Sequence, residues 1–425
     1  MTFKFYIPKG GNHISNIYIT VTAEVEDGQS GQKFNFRTPL KIDPNHWDSK
    51  KQRPDNIYLK KYKLINSRLD KLKIGLSEYI KKKSREKKDI SQKMIYREIK
   101  RISTRKEITY PERSLLLFMI QYINSKKGFI SHSTYKRYMV FFRMVEKFEG
   151  FAGERIYIDS IDSSILNQFI KFGKKEMYSE NTIHRTIHFI RTILNFAEKK
   201  GIRTTVRQLD IKRKKQHRVI VSLSEEEISA IKKVPLSKEL EPARDWLLIS
   251  CYTGQRISDF MEFTTDQLRK IDGRTYISFT QKKTNKNILL PLHPQVISIL
   301  KKNGNNFPPR YTPSQYNLYI KQIAMKAGIT QLVMARKRKG HRARSSLVQK
   351  WEVLSSHIGR RSFATIFYGK IPTPLLMEAT GHSTEKMFLQ YINSADMNRA
   401  ISLSNYFQQI EFENGNEADP AKQNE

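Results

Sequence analysis

Gly381-His382-Ser383, with Gln390-Tyr391 closing the same stretch, is the part of this 425-residue chain on which the reading turns. Upstream stands His357-Ile358-Gly359-Arg360, and further back Thr253-Gly254-Gln255-Arg256. Each motif alone is common. In this order they bring two guanidinium groups, two imidazoles and a phenol to one chain. Arginine's planar fork pairs bidentately with anionic oxygens and keeps its charge. Imidazoles move protons or donate hydrogen bonds, and a phenol can attack phosphorus. The set describes phosphate chemistry.

The neighbouring residues extend this. Gly254 permits a turn where one helix ends, so that the next helix would offer its N-terminal amides to an anion near Arg256, with Asp259 one turn on to orient the guanidinium. His357 and Arg360 are three apart on a predicted helix and so share a face. Two predicted strands, Thr275-Tyr276-Ile277-Ser278-Phe279 and Asn287-Ile288-Leu289-Leu290-Pro291-Leu292, enclose the tip Gln281-Lys282-Lys283-Thr284-Asn285-Lys286. A lysine on such a tip can give a proton to a departing oxygen.

At this point the chain resembles the tyrosine recombinase/integrase family. The family helix reads His-x-x-Arg-His-(Ser/Thr)-Phe-Ala-Thr, and this chain has His357-Ile358-Gly359-Arg360-Arg361-Ser362-Phe363-Ala364-Thr365. Arg361 replaces the second histidine, a position that is not catalytic in the family. The resemblance implies metal-free transesterification with Tyr391 as nucleophile, through a 3′-phosphotyrosyl link and a free 5′-hydroxyl. It implies Arg256 and Arg360 as the phosphate clamp, Lys283 as general acid, His357 as general base and His382 as a hydrogen-bond partner of the phosphate. Lys282 and Lys286 remain alternatives to Lys283. A free phenol titrates near about 10, which is why the attack needs a base and cations beside it.

Composition points the same way. Lysine and arginine number 77 against 41 acidic residues, a formal charge of +36 spread along the chain. Such an excess repels itself unless a polyanion is near, and double-stranded DNA is the partner expected. The single cysteine, Cys251, excludes an intramolecular disulfide framework and a cysteine-based zinc site, and its apolar neighbours make it a core thiol. No carboxylates gather as a two-metal site needs and no G-x-x-x-x-G-K-[ST] loop is present, so neither metal nor nucleotide cofactor is expected. No apolar run approaches the roughly 20 residues of a membrane span, and the first residues lack a signal-peptide core, so a cytoplasmic protein is expected.

The predicted fold is mainly α with small β elements, in three parts and a tail. Residues 1–88 form a small α+β domain: strands at Ile17–Thr22 and Lys33–Arg37 around a turn at Glu26–Gly31, then a helix over Leu59–Lys82 with Tyr62, Ile65, Leu69, Leu72, Leu76 and Tyr79 on one face. The run Thr38–Asp48 resembles the arm-binding domain of mobile-element integrases. Lys81–Lys88 reads as a charged bridge, and Ile90–Ile102 as a further helix. Residues 110–203 read as a helical, SAM-like block that resembles the family's core-binding domain. Its stripes Tyr135, Tyr138, Phe142, Val145, Phe148 and Ile183, Ile187, Ile190, Leu194, Ala197 are core, while Lys136, Arg137, Arg185 and Arg191 are candidate DNA contacts. Lys212-Arg213-Lys214-Lys215 reads as a strap along a DNA backbone. Residues 219–410 form the catalytic domain, entered by a capping box at Ser224–Glu227. Residues 411–425 are an acidic, disordered tail. The amphipathic segment Met397–Phe407 either packs in cis or docks onto a neighbouring protomer.

Three readings follow. The first is a site-specific integrase of a mobile element or prophage, acting as a homotetramer on synapsed sites, with accessory DNA-bending or directionality factors as further partners. The second is an invertase, resolvase or relaxing topoisomerase with the same chemistry. The third is a non-catalytic DNA-binding protein.

Overall fold

The computed structural model describes residues 2–8, 14–22, 33–56, 59–104, 109–209, 220–339 and 342–392, with Ser404 and Gln408, and only the backbone of 338–339 and 342–344. The turn at Glu26–Gly31, the Lys212–Lys215 cluster, all of Met397–Phe407 but Ser404, and the tail from Glu411 lie outside the described residues. Two compact units, Met1–Lys215 and Gln216–Glu425, are taken in turn.

The first unit opens with β1 (Thr2–Tyr6), β2 (Ser15–Thr22) and β3 (Lys33–Ile42), an antiparallel sheet in that order. Alternation along β3 buries Phe36, Thr38, Leu40 and Ile42 and leaves their neighbours in water. A short ribbon, β4 (Trp47–Asp48) with β5 (Arg53–Pro54), precedes α1 (Lys60–Arg85) and α2 (Gln92–Thr104). The stripe predicted for α1 covers the sheet: Leu69, Leu72 and Leu76 join Ile17, Ile19, Val21, Ile95 and Ile99 in one core. Trp47 packs against this core.

The charged bridge expected at Lys81–Lys88 is corrected, because α1 continues to Arg85. Lysine, arginine and serine cost a helix little, so a charge run does not end one. The long helix also packs on the following block: Lys81 pairs with Glu154 at 2.7 Å, Lys73 Nζ donates to the Phe151 carbonyl at 3.2 Å, and Arg155 reaches Glu78 at 3.6 Å.

That block is α3 (Leu115–Lys126), α4 (His132–Ala152), α5 (Ser163–Lys175) and α6 (Glu180–Glu198). Ser114, Ser131, Asp162 and Ser179 each cap the helix that follows them by accepting a backbone N–H. Such caps contribute about 1 kcal/mol each. The two predicted stripes meet in its core: Phe142, Val145 and Phe148 of α4 with Ile183, Ile187, Ile190, Leu194 and Ala197 of α6.

The second unit runs α7 (Glu225–Lys233), α8 (Glu241–Thr253), α9 (Ile257–Phe260), β6 (Leu268–Ile271), β7 (Arg274–Thr280), β8 (Asn287–Pro291), α10 (Pro294–Lys302), α11 (Pro313–Lys326), β9 (Leu332–Lys339), β10 (Arg342–Gln349), α12 (Ile358–Phe367), α13 (Thr373–Thr380) and α14 (Glu385–Phe388). The Ser224–Glu227 capping box forms with both of its hydrogen bonds. Helix α8 is the hub. Ala243, Trp246, Leu247, Leu248, Ile249 and Cys251 are all buried, which marks a helix covered on every side. Burying each large side chain contributes on the order of 1.5–3 kcal/mol. Strands β6–β7–β8 form an antiparallel meander. Beyond the expected pair it gains β6, and the β9–β10 hairpin interrupts a stretch expected to be helical.

Candidate active site

The C-terminal end of α8 begins the site. Gly254 caps it at φ 66, a left-handed conformation, and a Cβ there would meet the Phe363 ring at 2.6 Å. Its carbonyl accepts from Arg360 Nη1 at 2.8 Å. Arg360 lies in the first turn of α12 and is fully buried. Its Nη2 donates to the Thr380 carbonyl at 2.7 Å and to His382 Nε2 at 3.1 Å, while its Nε is buried without a partner. Burial, then the neighbouring Arg256 charge, pushes the guanidinium pKa down, and the Tyr391 phenol opposes this as a charge and hydrogen-bond partner. Its Cζ lies 5.4 Å from the centroid of the Tyr391 ring.

Arg256, half-buried, is the N-cap residue of α9 and is held from the other side. Its Nη1 donates to Gln281 Oε1 at 3.1 Å. Gln281 is fully buried just beyond β7. Its Nε2 donates to Gln255 Oε1 at 2.9 Å and to the Thr380 carbonyl at 3.2 Å, and Thr284 Oγ1 donates to its Oε1 at 2.6 Å. Gln255, also fully buried, donates to the Thr253 and Ala379 carbonyls at 2.9 and 2.7 Å. Two buried glutamines thus tie the hairpin, the Arg256 loop and the end of α13 together. Gly381 makes room for them: it sits at φ 69, and a Cβ there would lie 2.4 Å from Gln281 Oε1.

His382 is nearly buried. Arginine only donates, and Nε2, at 3.1 Å, is nearer Arg360 Nη2 than Nδ1, at 3.5 Å, so we assign Nε2 as the acceptor and the proton to Nδ1. Nδ1 stands 2.8 Å from Thr380 Oγ1, whose own proton goes to the Leu376 carbonyl at 2.6 Å. Burial, then Arg360, Arg256 and Lys286, holds the His382 pKa down to about 3, in keeping with a neutral ring. The His382 ring lies 4.9 Å from that of Tyr391. Tyr391 ends a 3-10 turn over Leu389–Tyr391, half-buried against the small core of Phe363, Leu376, Phe388 and Ile392.

His357 is the N-cap residue of α12 and is exposed. Partial loss of hydration, then the cations Arg361, Arg360, Arg256 and Lys283, lowers its pKa. With these four cations around it, the ring is neutral at pH 7.

The three tip lysines differ. Lys282 is engaged by Glu262 at 3.2 Å, and its backbone N–H donates to Asp259 Oδ1 at 3.0 Å. The charge of Lys283 is felt at His357, and that of Lys286 at His382. Two expectations need correction. Asp259 was expected to orient Arg256, but its described partners are the Lys282 amide and Ser258, because the hairpin reaches it first. Helix α9 spans only four residues, too few to build an N-terminal anion site.

Of the other candidates, Lys136 and Arg137 on α4 and Arg185 and Arg191 on α6 are all exposed, while Lys212, Arg213, Lys214 and Lys215 are not among the described residues. Cys251 is buried, and burial pushes its thiol up to about 12, as suits a core residue. Among the described residues no cluster of three His, Cys, Asp or Glu could hold a metal, and no helix is long and apolar enough to cross a membrane. The glutamine pair was missed from sequence. Its one signal is the polar pair Gln255 and Gln281 standing directly beside the Arg256 and lysine motifs.

Comparison with known families accounts for this arrangement. The phage integrase family model matches residues 222–398, the phage integrase SAM-like domain matches 114–207, and an Arm DNA-binding domain matches 11–96. The chain belongs to the phage integrase family. It is a tyrosine recombinase built of arm-binding, SAM-like and catalytic domains. Among solved structures, this integrase-family chain is similar to the Tn1549 transposon integrase in complex with a circular intermediate DNA. That match has 17% identity and a TM-score of 0.52, over 69% of this chain and 100% of the other. It is also similar to the XerH site-specific recombinase bound to a palindromic difH substrate, with 16% identity and a TM-score of 0.52, over 71% and 98%. At such identities the likeness is one of fold. Among curated proteins, none matches.

Proposed function

We propose that Tyr391 is the nucleophile of this recombinase, acting on double-stranded DNA. Its Oη attacks the scissile phosphorus, the Tyr–O–P bond forms and the bond to the 5′-oxygen breaks. The product is a 3′-phosphotyrosyl link and a free 5′-hydroxyl. His357, neutral at pH 7, takes the phenolic proton. Lys283 gives a proton to the departing 5′-oxygen. Arg256 and Arg360 face the non-bridging oxygens, where the transition state gathers charge, and their preorganised donors need no rearrangement at the moment of reaction. His382 completes this cradle chiefly through the Arg360 guanidinium that it orients. No step calls for a metal or cofactor. A 5′-hydroxyl from a second strand reverses the reaction and exchanges strands when four protomers assemble on two duplexes.

One observation carries the reading: Tyr391 stands against both Arg360, at 5.4 Å, and His382, at 4.9 Å, so nucleophile and phosphate clamp share one wall. We further infer integration and excision of a mobile element as the task, with residues 1–88 reading a second class of DNA site and 110–203 and 219–410 each contacting core-site DNA. The match of an arm module to residues 11–96 supports this over simple inversion or resolution. The test is Tyr391→Phe on a nicked core-site duplex. Binding should be retained and covalent adduct lost; a persistent adduct on another residue would remove the assignment.

A further inference from the structure

The catalytic unit carries a feature that the proposed chemistry leaves unused, the β9–β10 hairpin. Its strands pair in register from Leu332↔Gln349 out to Lys339↔Arg342. That register sets Lys337 opposite Arg344 and Lys339 opposite Arg342. Like charges directly opposite one another destabilise a strand pair. The stretch Arg336-Lys337-Arg338-Lys339-Gly340-His341-Arg342-Ala343-Arg344 holds six lysines and arginines, and no acidic residue occurs between Ile329 and Trp351. Lys337 reaches back to Glu352, just past the hairpin.

The root, by contrast, is fixed. Lys350, buried, pairs with Glu227 of α7 at 2.6 Å, and Gln331 donates to the same carboxylate. The Lys350 amide donates to the Gln331 carbonyl at 2.9 Å, and Val333 and Ala335 pack against the core of the catalytic unit. A ribbon clamped at its base and loaded with like charge toward its end gains from a polyanion beside it.

We propose that the distal strands of this hairpin, Arg336–Lys339 and Arg342–Arg344, are a DNA-backbone contact of the catalytic unit, separate from the phosphate clamp at Tyr391. The occupant is the phosphate backbone of duplex DNA flanking the cleaved step. The proposal rests on the reading of the chain as a DNA recombinase. The contacts position the protein and carry no base information of their own.

The experiment uses the full chain and a duplex extending well beyond the cleavage site. The variant combines Arg338→Gln, Lys339→Gln, Arg342→Gln and Arg344→Gln, and binding is followed by fluorescence anisotropy across a salt series. Each phosphate contact contributes about 0.9 to the slope of log K against log salt, so the slope should fall by up to about 3.6. A second variant, Arg338→Lys with Arg342→Lys and Arg344→Lys, should keep the wild-type slope, which separates lost charge from lost fold. Adduct formation by the first variant at low salt should persist. An unchanged slope in a folded glutamine variant would overturn the hairpin assignment. So would an unchanged slope together with altered self-association in sedimentation, which would assign the hairpin, with its exposed Leu332, Met334 and Leu347, to a protein neighbour. Wild-type protein that neither binds nor forms an adduct would instead overturn the recombinase reading beneath it.

Discussion

Gln281→Leu isolates the buried glutamine pair from the catalytic groups themselves. The substitution keeps the side chain's approximate volume and removes four hydrogen bonds: those to Gln255 Oε1 and the Thr380 carbonyl, and those from Arg256 and Thr284. Net, such bonds contribute about 1 kcal/mol each, and a buried polar group left unpaired, here Gln255 Oε1, costs about 1–3 kcal/mol. A loss of about 4–6 kcal/mol follows, leaving out the bond from the exposed Thr284. Each kcal/mol shifts the melting temperature of a domain this size by roughly 2–4 °C. Catalysis should fall for a separate reason. Arg256 loses the side chain that aims its guanidinium, and losing a preorganised transition-state donor costs about 10²-fold or more. An arginine left in place but unaimed should lie somewhat short of that, at about 10- to 10²-fold. The assay is single-turnover adduct formation on a nicked duplex at saturating protein, below the variant's melting temperature, with Kd measured separately. Gln281→Glu, which can still accept from Arg256, should recover part of the rate without recovering the stability. If Gln281→Leu were destabilised yet formed adduct at the wild-type rate, the glutamine would be a packing residue and the positioning argument would fail.

Three further outcomes follow from the same geometry. Lys283→Ala should slow cleavage of a normal phosphodiester yet cleave a substrate with sulfur at the 5′-bridging position at near wild-type rate, since a thiolate leaves without a proton; rescue of Lys282→Ala instead would move the general acid. Because the His382 pKa is held down to about 3, the unfolded chain takes up a proton that the native state refuses once the pH drops below about 6.5. Stability is therefore full above that value and lost as the pH falls toward 3, and His382→Gln should flatten this loss in urea midpoints measured at pH 7.5 and 5; an identical slope in the variant would show that the ring is not held neutral. Protein lacking residues 1–88 should still cut a minimal core site but lose a second footprint, and its helical block should melt earlier because α1 no longer covers α4; an unchanged footprint would place residues 1–88 in the core clamp.

Much of the candidate site was legible because its residues stand in short, ordered motifs. Arg360, His382 and Tyr391, named from those motifs, lie side by side, Arg256 is tied to them through Gln281, and Gly254 and Gly381 stand where the backbone turns left-handed. The glutamine pair was not legible, since Gln255 and Gln281 meet only through tertiary contact and neither residue type announces a buried role. Asp259 was misassigned for the same reason: the hairpin that takes its carboxylate comes from another part of the chain. The β9–β10 hairpin escaped because six basic residues hide the alternation of period two that marks a strand. Its apolar signal is confined to the root, at Leu332, Val333, Met334, Leu347 and Val348. The end of α1 was misread because a run of lysines resembles a linker in composition while serving a helix equally well.

The central claim is that Tyr391 becomes joined to DNA through a 3′-phosphate. Its most direct test is to trap the wild-type protein on a nicked core-site duplex in excess EDTA, digest the adduct, and identify by mass spectrometry both the modified residue and the DNA end attached to it. A 3′-phosphate on Tyr391 is expected, with a free 5′-hydroxyl on the released strand. Attachment at any other residue, linkage through a 5′-phosphate, or no adduct unless a divalent metal is restored would contradict it.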